Sequence, residues 1–266
     1  MRQIVKLVSA TQLSEGPGAS APTLVFLHGF MGGPADYAPM IERLGRRYRC
    51  IGVELAGHGK TPLPDTSISL RQLARPLRED VLAPLGRPTL VGYSMGGRLA
   101  LQCALDYPES VANLVLISTS PGIEDTAQRE LRRAQDALRA TRIRQEFDAF
   151  LADWYRLPIF GGLRNTSGFE AMLARRKAQN PAAIARVITE LSPGLQPSNW
   201  PRLDALRGDA PKTTWLVGAD DPKYHQLGQK LAALDHQVRT AAHAAHALHI
   251  ERPEWCAQQI EMLVES

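Results

Sequence analysis

The residues best suited to chemistry lie in the pentapeptide at positions 92–96, Gly-Tyr-Ser-Met-Gly, which matches the pattern G-x-S-x-G. Small residues on both sides of a serine allow a sharp, strained turn between a strand and a helix, and this turn exposes the hydroxyl. An apolar run from Pro88 enters the turn, and a helix-forming segment follows it. A bare match is commonly an ordinary turn, but this context predicts that Ser94 occupies a nucleophile elbow.

A serine at such a turn needs a base and an acid that orients the base, and both follow it along the chain. Asp220 and Asp221 end a later apolar run, and His246 precedes the last predicted helix. We predict a catalytic triad in which Asp221 holds the imidazole of His246 in the tautomer that accepts the Ser94 proton. Either aspartate would also serve as a helix N-cap, so the order of all three residues carries the prediction.

Three of the seven histidines, His243, His246 and His249, are spaced three residues apart, as metal-binding histidines on a helix can be. This segment follows a predicted strand instead, and no cysteine or second acidic ligand is nearby in sequence. We therefore predict no metal site. His28 and His58 each stand beside a glycine after a strand, and we expect them to stabilise turns.

An oxyanion needs hydrogen-bond donors that already point at it. The loop His28-Gly29-Phe30 can present the backbone N–H of Phe30 beside that of Met95, at the start of a helix whose dipole adds partial positive charge. Glycine-rich loops also bind phosphate, but neither G-x-G-x-x-G nor G-x-x-x-x-G-K-[ST] occurs in the chain. The sequence predicts an oxyanion hole at Phe30 and Met95, and no cofactor.

Short apolar runs separated by helix-forming stretches would hold these residues in place. Their alternation indicates βαβ units. We predict an α/β fold with a mostly parallel central sheet and helices on both faces. The predicted strands are Thr23–Leu27, Cys50–Leu55, Pro88–Tyr93, Val111–Ile117, Thr213–Val217 and Gln237–Ala241.

The alternation stops between Pro121 and about Pro201, where helix-forming stretches follow one another. An insertion between two parallel strands would lie over their carboxyl ends, so this segment is a candidate cap. We assign residues 1–120 and 202–266 to the core and residues 121–201 to an inserted helical cap. The four stretches are Glu124–Arg144, Phe147–Tyr155, Phe169–Gln179 and Pro181–Leu191.

Composition narrows the class of protein. With 44% hydrophobic and 22% charged residues, the 266-residue chain is close to the globular average and unlike disordered chains. Its apolar runs are far shorter than the ~18 residues of a membrane span. Arg2 and Lys6 interrupt the apolar residues of the first ten positions, so we predict neither a membrane helix nor a secretory signal.

Charge and cysteine content point to a cytoplasmic protein with a solvated surface of mixed charge. The net charge of +4 comes from 31 basic and 27 acidic residues, which is typical of a solvated mixed surface rather than of nucleic-acid binding. Three cysteines without C-x-x-C spacing predict neither a disulfide framework nor a zinc site. The oligomeric state stays open.

Further motifs accompany the predicted triad, and together they make the chain resemble the α/β-hydrolase superfamily over nearly its whole length. They are the segments 27–32, 91–98 and 118–122, Asp153-Trp154-Tyr155 with Pro158 and Phe160, and His246 with Glu251 and Pro253. Within the superfamily, the chain is most similar to the 2-succinyl-6-hydroxy-2,4-cyclohexadiene-1-carboxylate (SHCHC) synthases of menaquinone biosynthesis. The resemblance implies a lyase whose triad serine acts as a base and which eliminates pyruvate from 2-succinyl-5-enolpyruvyl-6-hydroxy-3-cyclohexene-1-carboxylate.

The resemblance also implies residues that bind this substrate, a polycarboxylate for which arginine forks are suited. Arg98 lies one helical turn beyond Ser94, and Arg176 stands where the family has a substrate-binding arginine. Arg132 or Arg133 is a third candidate. Aromatic side chains are expected to pack against the substrate ring or to anchor the cap. These are Tyr93, Trp154 and Tyr155.

Two other functions remain open on sequence alone. A serine hydrolase, either a carboxylesterase or a carbon–carbon bond hydrolase, would use the same triad, and its ester turnover would exceed pyruvate release. A ligand sensor on the same fold is a third hypothesis, although a sensor does not need an intact triad. We expect a small polycarboxylate as partner, with no role for nucleic acid or membrane.

Overall fold

A seven-stranded sheet forms the centre of the protein, and the computed structural model describes residues 6–18, 20–207 and 211–266. The order of its strands is β1-β3-β2-β4-β5-β6-β7, and among the described residues β1 alone runs antiparallel to its neighbour. Arg2, on which the prediction about a secretory signal depends, lies outside the described residues. The strands are β1 (Val8–Ser14), β2 (Thr23–Leu27), β3 (Arg49–Leu55), β4 (Thr89–Tyr93), β5 (Asn113–Ile117), β6 (Lys212–Gly218) and β7 (Gln237–Ala241).

All six predicted strands are confirmed, with ends that shift by two residues or fewer. Strand β1 was not predicted; it lies at the sheet edge and, among the described residues, pairs with β3 alone. Of its seven residues only Val8 is buried. A strand with so little buried surface lacks the apolar run by which the other strands were found.

Helices cover both faces of the sheet because successive side chains of each strand point to opposite faces. In β2, Val25 and Leu27 join the apolar cluster beneath α2 and α4, whereas Leu24 and Phe26 join the cluster beneath α1 and α11. No helix in the described part of the chain is long and apolar enough to cross a membrane. The helices are α1 (Ala38–Leu44), α2 (Leu70–Pro76), α3 (Ala83–Leu85), α4 (Met95–Asp106), α5 (Thr126–Gln145), α6 (Phe147–Trp154), α7 (Phe169–Lys177), α8 (Pro181–Glu190), α9 (Pro222–Ala232), α10 (Leu248–Glu251) and α11 (Pro253–Glu265).

The insertion between β5 and β6 contains α5 to α8, and each of the four matches a predicted helical stretch. Asp125 accepts a hydrogen bond from the Gln128 N–H and so caps α5, and Asn180 caps α8 in the same way. The insertion has its own apolar cluster, which includes Met31 and Ala247 from the loops of the sheet. Its helices are therefore packed against the loops that carry the predicted site.

Parallel strands bring the predicted site residues to one edge of the sheet. Ser94 follows the end of β4, Asp221 follows the end of β6, and His246 follows the end of β7. Because these strands are parallel, their carboxyl ends lie at the same edge, where ligands bind in open α/β sheets.

Candidate active site

Ser94 occupies a strained turn between β4 and α4. Its backbone has φ 49° and ψ −109°, a conformation that residues with a side chain rarely adopt. Its N–H donates to the Ile117 carbonyl at 2.9 Å, which fixes the turn to β5. A Cβ on Gly92 would lie 2.6 Å from the Gly96 carbonyl oxygen, so position 92 requires glycine. The G-x-S-x-G pattern thus reflects close backbone approach around the exposed serine hydroxyl.

Ser94, His246 and Asp221 form a continuous hydrogen-bonded chain. Nε2 of His246 lies 3.0 Å from Ser94 Oγ, and Nδ1 lies 3.0 Å from Asp221 Oδ2. The carboxylate therefore selects the tautomer with a proton on Nδ1 and leaves Nε2 free to accept the serine proton. Oδ1 of Asp221 accepts the Tyr224 N–H at 3.2 Å, so the same aspartate also caps α9. Asp220 is exposed and makes no side-chain contact with His246.

Two backbone hydrogen bonds hold the loop that carries His246. The His246 N–H donates to the Ile159 carbonyl of the insertion at 3.0 Å. The N–H of Ala245 donates to Glu251 Oε2, also at 3.0 Å, while burial raises the pKa of Glu251 to about 7. Glu251 contributes to the family resemblance, but no role is predicted for it, because its spacing in the sequence does not reveal that it accepts from this loop.

The predicted oxyanion donors lie beside the serine. Phe30 and Met95 line the same cavity as Ser94, and within the described residues neither backbone N–H has an acceptor. The neighbouring loops are held by histidines, as predicted. Nε2 of His28 accepts the Leu55 N–H at 3.1 Å, and Nε2 of His58 accepts the Met31 N–H at 3.1 Å. Burial lowers the pKa of both imidazoles, so they stay neutral acceptors.

A cavity of about 390 Å³ opens onto Ser94 and His246, and we call it the main cavity because these two triad residues line it. Trp154 of α6 lines it and lies edge-to-face against Phe30 of the core, with 5.8 Å between ring centroids. The side chain is therefore both a cap anchor and part of the cavity wall. A small cavity of about 50 Å³ adjoins Ser94 on another side, lined by Tyr93, Trp154, Tyr155 and Arg176 among others.

Arg98 is a buried cation on the wall of the main cavity. Its guanidinium donates to the Leu191 carbonyl at 2.9 Å and to Gln196 Oε1 at 3.3 Å, and no carboxylate of the described residues pairs with it. Burial and the nearby charge of Arg132 lower its pKa to about 10, a value at which it remains protonated at neutral pH. It is therefore a charge without a counter-ion beside the serine.

Arg132, rather than Arg133, reaches the main cavity. Successive residues of an α-helix point about 100° apart, so only one of two neighbours can face the cavity. Arg132 lines it and donates to Asp136 Oδ2 at 2.8 Å, whereas the half-exposed Arg133 lies 3.8 Å from Glu130 and does not line the cavity. Asp136 is fully buried.

Gln135 and Arg139 also line the cavity, three and seven residues beyond Arg132 on α5, and Arg139 is held by Asp136 at 2.7 Å. Neither residue was predicted from the sequence. Helical periodicity from Arg132 would have found them.

Arg176 is held inside the protein by an acid. Its Nη2 lies 2.6 Å from Asp36 Oδ2, and its Nε donates to the Tyr155 hydroxyl at 3.1 Å. Burial alone would raise the pKa of Asp36, but the guanidinium of Arg176 and that of Arg175 hold it at about 2. Arg176 therefore lines the small cavity with its charge already matched, unlike Arg98.

Comparison with known proteins is consistent with this geometry. The model of the alpha/beta hydrolase family matches residues 24–259. The chain belongs to the alpha/beta hydrolase family. Within this family it is 31% identical to 2-succinyl-6-hydroxy-2,4-cyclohexadiene-1-carboxylate synthase of Serratia proteamaculans (strain 568), over 94% of this chain and 96% of that protein. The chain therefore belongs to the SHCHC synthase family of alpha/beta hydrolases.

Two further similarities concern a longer protein and a solved structure. The chain is 29% identical to the chloroplastic protein PHYLLO of Arabidopsis thaliana, but it spans only 15% of that protein's length. The structure of MenH from S. aureus superposes on 97% of this chain and 98% of its own with a TM-score of 0.88 and 28% identity. The alpha/beta hydrolase fold predicted from the sequence is confirmed.

Proposed function

We propose that this alpha/beta hydrolase eliminates pyruvate from 2-succinyl-5-enolpyruvyl-6-hydroxy-3-cyclohexene-1-carboxylate to give 2-succinyl-6-hydroxy-2,4-cyclohexadiene-1-carboxylate. The observation that carries the proposal is an assembled Ser94–His246–Asp221 chain beside a cavity with an unmatched arginine. The relatedness to an SHCHC synthase at 31% identity over nearly the full length supports it. A plain ester hydrolase does not need the unmatched cation.

The first step is removal of the ring proton next to the succinyl ketone. Ser94 Oγ abstracts this proton while His246 Nε2 takes the serine's own proton, over a hydrogen bond of 3.0 Å. Asp221 stabilises the imidazolium that forms. The electron pair of the broken C–H bond enters the ring as a new double bond, the existing double bond moves by one position, and the bond to the enolpyruvyl oxygen breaks. The leaving enolpyruvate oxygen takes the proton held by His246 Nε2, which restores the triad, and the resulting enol tautomerises to pyruvate.

Negative charge develops on the ketone oxygen during this step. In this mechanism the backbone N–H groups of Phe30 and Met95 donate to that oxygen, since both line the cavity at Ser94 and lack other acceptors among the described residues. The same donors would serve a tetrahedral oxyanion in an ester hydrolase. The donors therefore support charge stabilisation but do not distinguish elimination from hydrolysis.

The carboxylates of the substrate distinguish it from a simple ester. Arg98 and Arg132 line the main cavity, and we assign them to bind carboxylate groups, with Trp154 against the ring. Tyr93, Tyr155 and Arg176 would act from the small cavity. The substrate is thus a small polycarboxylate.

Two further assignments belong to this proposal. The insertion at residues 121–201 acts as a cap, supported by the contact of Trp154 with Phe30 and by the hydrogen bond from His246 to Ile159. A cytoplasmic location is supported by three free buried cysteines, Cys50, Cys103 and Cys256, which have no disulfide partner in the described structure.

A direct comparison of two activities tests the proposal. Pyruvate release from the enolpyruvyl substrate is followed with a lactate dehydrogenase coupled assay, and hydrolysis of p-nitrophenyl acetate is measured on the same wild-type preparation. We expect kcat/KM for pyruvate release to exceed that for the ester by orders of magnitude. Brisk ester hydrolysis without pyruvate release would contradict the proposal and favour a serine hydrolase.

A further inference from the structure

A second cavity of about 560 Å³ adjoins the main cavity. The two share five lining residues, which we call the dividing wall. The proposed function uses the main cavity, where the triad lies, and leaves the second cavity without a role. The dividing wall consists of Arg98, Arg132, Pro193, Lys223 and Tyr224.

The dividing wall carries more positive than negative charge. Three of its five residues are cations, and Arg139 of the main cavity stands beside them. The buried Asp136 faces this group, and Arg132 and Arg139 both donate to it. Arg98, whose partners are neutral, and Lys223 are therefore the two cations of the wall that have no carboxylate partner among the described residues.

Lys223 has no anionic partner in the described part of the chain. Its side chain lines both cavities, and its ammonium lies 5.5 Å from the ring centroid of Tyr224. Lys230, on the same helix α9, makes a 2.7 Å ion pair with Glu124. A lysine on α9 can therefore have an acidic partner, and the lack of one is particular to Lys223.

The surroundings of Lys223 disfavour its charge. Desolvation by the surrounding protein lowers its pKa, and the charge of Arg132 lowers it further, with the carboxylate of Asp221 acting in the opposite direction. An anion bound at the wall would relieve this repulsion. Lys223 follows the triad acid by two residues, so an anion bound there lies near the reacting groups.

We propose that Lys223, together with Arg98 and Arg132, binds a carboxylate group at the dividing wall. The carboxylate has two possible sources, an arm of the bound substrate or the pyruvate that elimination releases into the second cavity. Only the naming of these two sources, substrate and pyruvate, rests on the proposed function. The carboxylate chemistry follows from the charges on the wall.

Equilibrium binding tests the site without reference to activity. Sodium pyruvate and sodium succinate are titrated by calorimetry into wild type, Lys223→Met, Lys223→Arg and Lys212→Met at constant ionic strength. Lys212 is an exposed lysine at the first residue of β6, at the opposite edge of the sheet. We expect Lys223→Met to weaken binding of at least one anion by about tenfold, and the other two variants to bind about as wild type does.

Steady-state kinetics then identify the source. If the carboxylate belongs to the substrate, Lys223→Met raises KM and leaves product inhibition by pyruvate unchanged. If it is the product, the variant raises the inhibition constant of pyruvate and leaves KM unchanged. The proposal is overturned if neither anion binds to wild type. It is also overturned if both anions bind equally well to Lys223→Met and to wild type and the two proteins have the same melting temperature. Anion binding by a wild type that releases no pyruvate would instead overturn only the proposed function.

Discussion

At the scale of single residues, the two oxygens of Asp221 serve two purposes. Oδ2 faces the imidazole of His246, and Oδ1 caps the helix that follows. These contacts fit both interpretations that the sequence left open, the triad acid and the helix N-cap. Asp220, its neighbour, is exposed.

Replacing Asp221 by asparagine separates these purposes. Asparagine caps helices as well as aspartate, so Asp221→Asn should fold with a melting temperature close to that of wild type. Its amide cannot hold the same imidazole tautomer, so pyruvate release should fall by about 10²- to 10⁴-fold. Asp220→Asn serves as the matched control and should keep full activity. Equal activity in the two variants would remove Asp221 from the triad.

Glu251, which accepts a hydrogen bond from the His246 loop, should make the stability of the protein depend on pH. Its pKa is about 7 in the folded protein, above the usual 4.5, so ionisation costs more in the folded than in the unfolded state. The wild type should therefore lose stability relative to Glu251→Gln as pH rises from about 4.5 to 7, by about 1–2 kcal/mol. Urea unfolding of both proteins at pH 4.5 and pH 8 measures the difference. A difference that does not change with pH would contradict this assignment.

At the scale of elements, α5 acts as the platform for the cavity arginines. One face of the helix presents Arg132, Gln135 and Arg139 to the main cavity, and Asp136 fixes two of these guanidinium groups from behind. Asp136 also accepts from the Ser192 hydroxyl at 2.7 Å, which ties α5 to the segment after α8. Asp136 therefore holds Arg132 and Arg139 in fixed orientations at the cavity.

Asp136→Asn should loosen these arginines without touching the triad. We expect KM for the enolpyruvyl substrate to rise by about tenfold with kcat nearly unchanged, because the interactions lost bind ground state and transition state alike. The control is Glu130→Gln, which alters an exposed acid of the same helix. A fall in kcat without a change in KM would show that Asp136 acts on the chemistry instead.

The sequence predicted most of these elements, and the exceptions have physical reasons. Buried apolar strands and helix-forming stretches carry strong local signals, so β2 to β7 and α5 to α8 agree with the predictions. The edge strand β1 buries too little to be seen. Partners distant in sequence were also invisible, such as Asp36 with Arg176, 140 residues apart.

At the scale of the whole molecule, the insertion is joined to the core by a buried ion pair. Asp36, in the loop region after β2, binds Arg176 of α7 at 2.6 Å and Arg175 at 3.0 Å. Asp36 and Arg176 are both buried, so removing one charge leaves the other without a partner. We infer that this pair fixes how the insertion sits over Ser94.

Asp36→Asn should therefore destabilise the protein in a pH-dependent manner. Asp36 has a lowered pKa of about 2 against 3.8, so its contribution is complete above pH 4 and is lost as pH falls toward 2. We expect the free energy of unfolding of Asp36→Asn to be about 2–4 kcal/mol lower than that of wild type at pH 7, with a smaller difference below pH 4. Denaturant unfolding measures it, with Asp148→Asn, an exposed acid of α6, as control. A loss that is the same at pH 3 and pH 7 would contradict the ion-pair explanation.

The proposed elimination depends on Ser94, which removes the substrate proton in the first step. The most direct measurement is the rate of pyruvate release by Ser94→Ala against wild type, with Ser110→Ala, a buried serine at the opposite edge of the sheet, as control. We expect a fall of about 10²- to 10⁴-fold in Ser94→Ala and full activity in the control. Pyruvate release at the wild-type rate by a folded Ser94→Ala would contradict it.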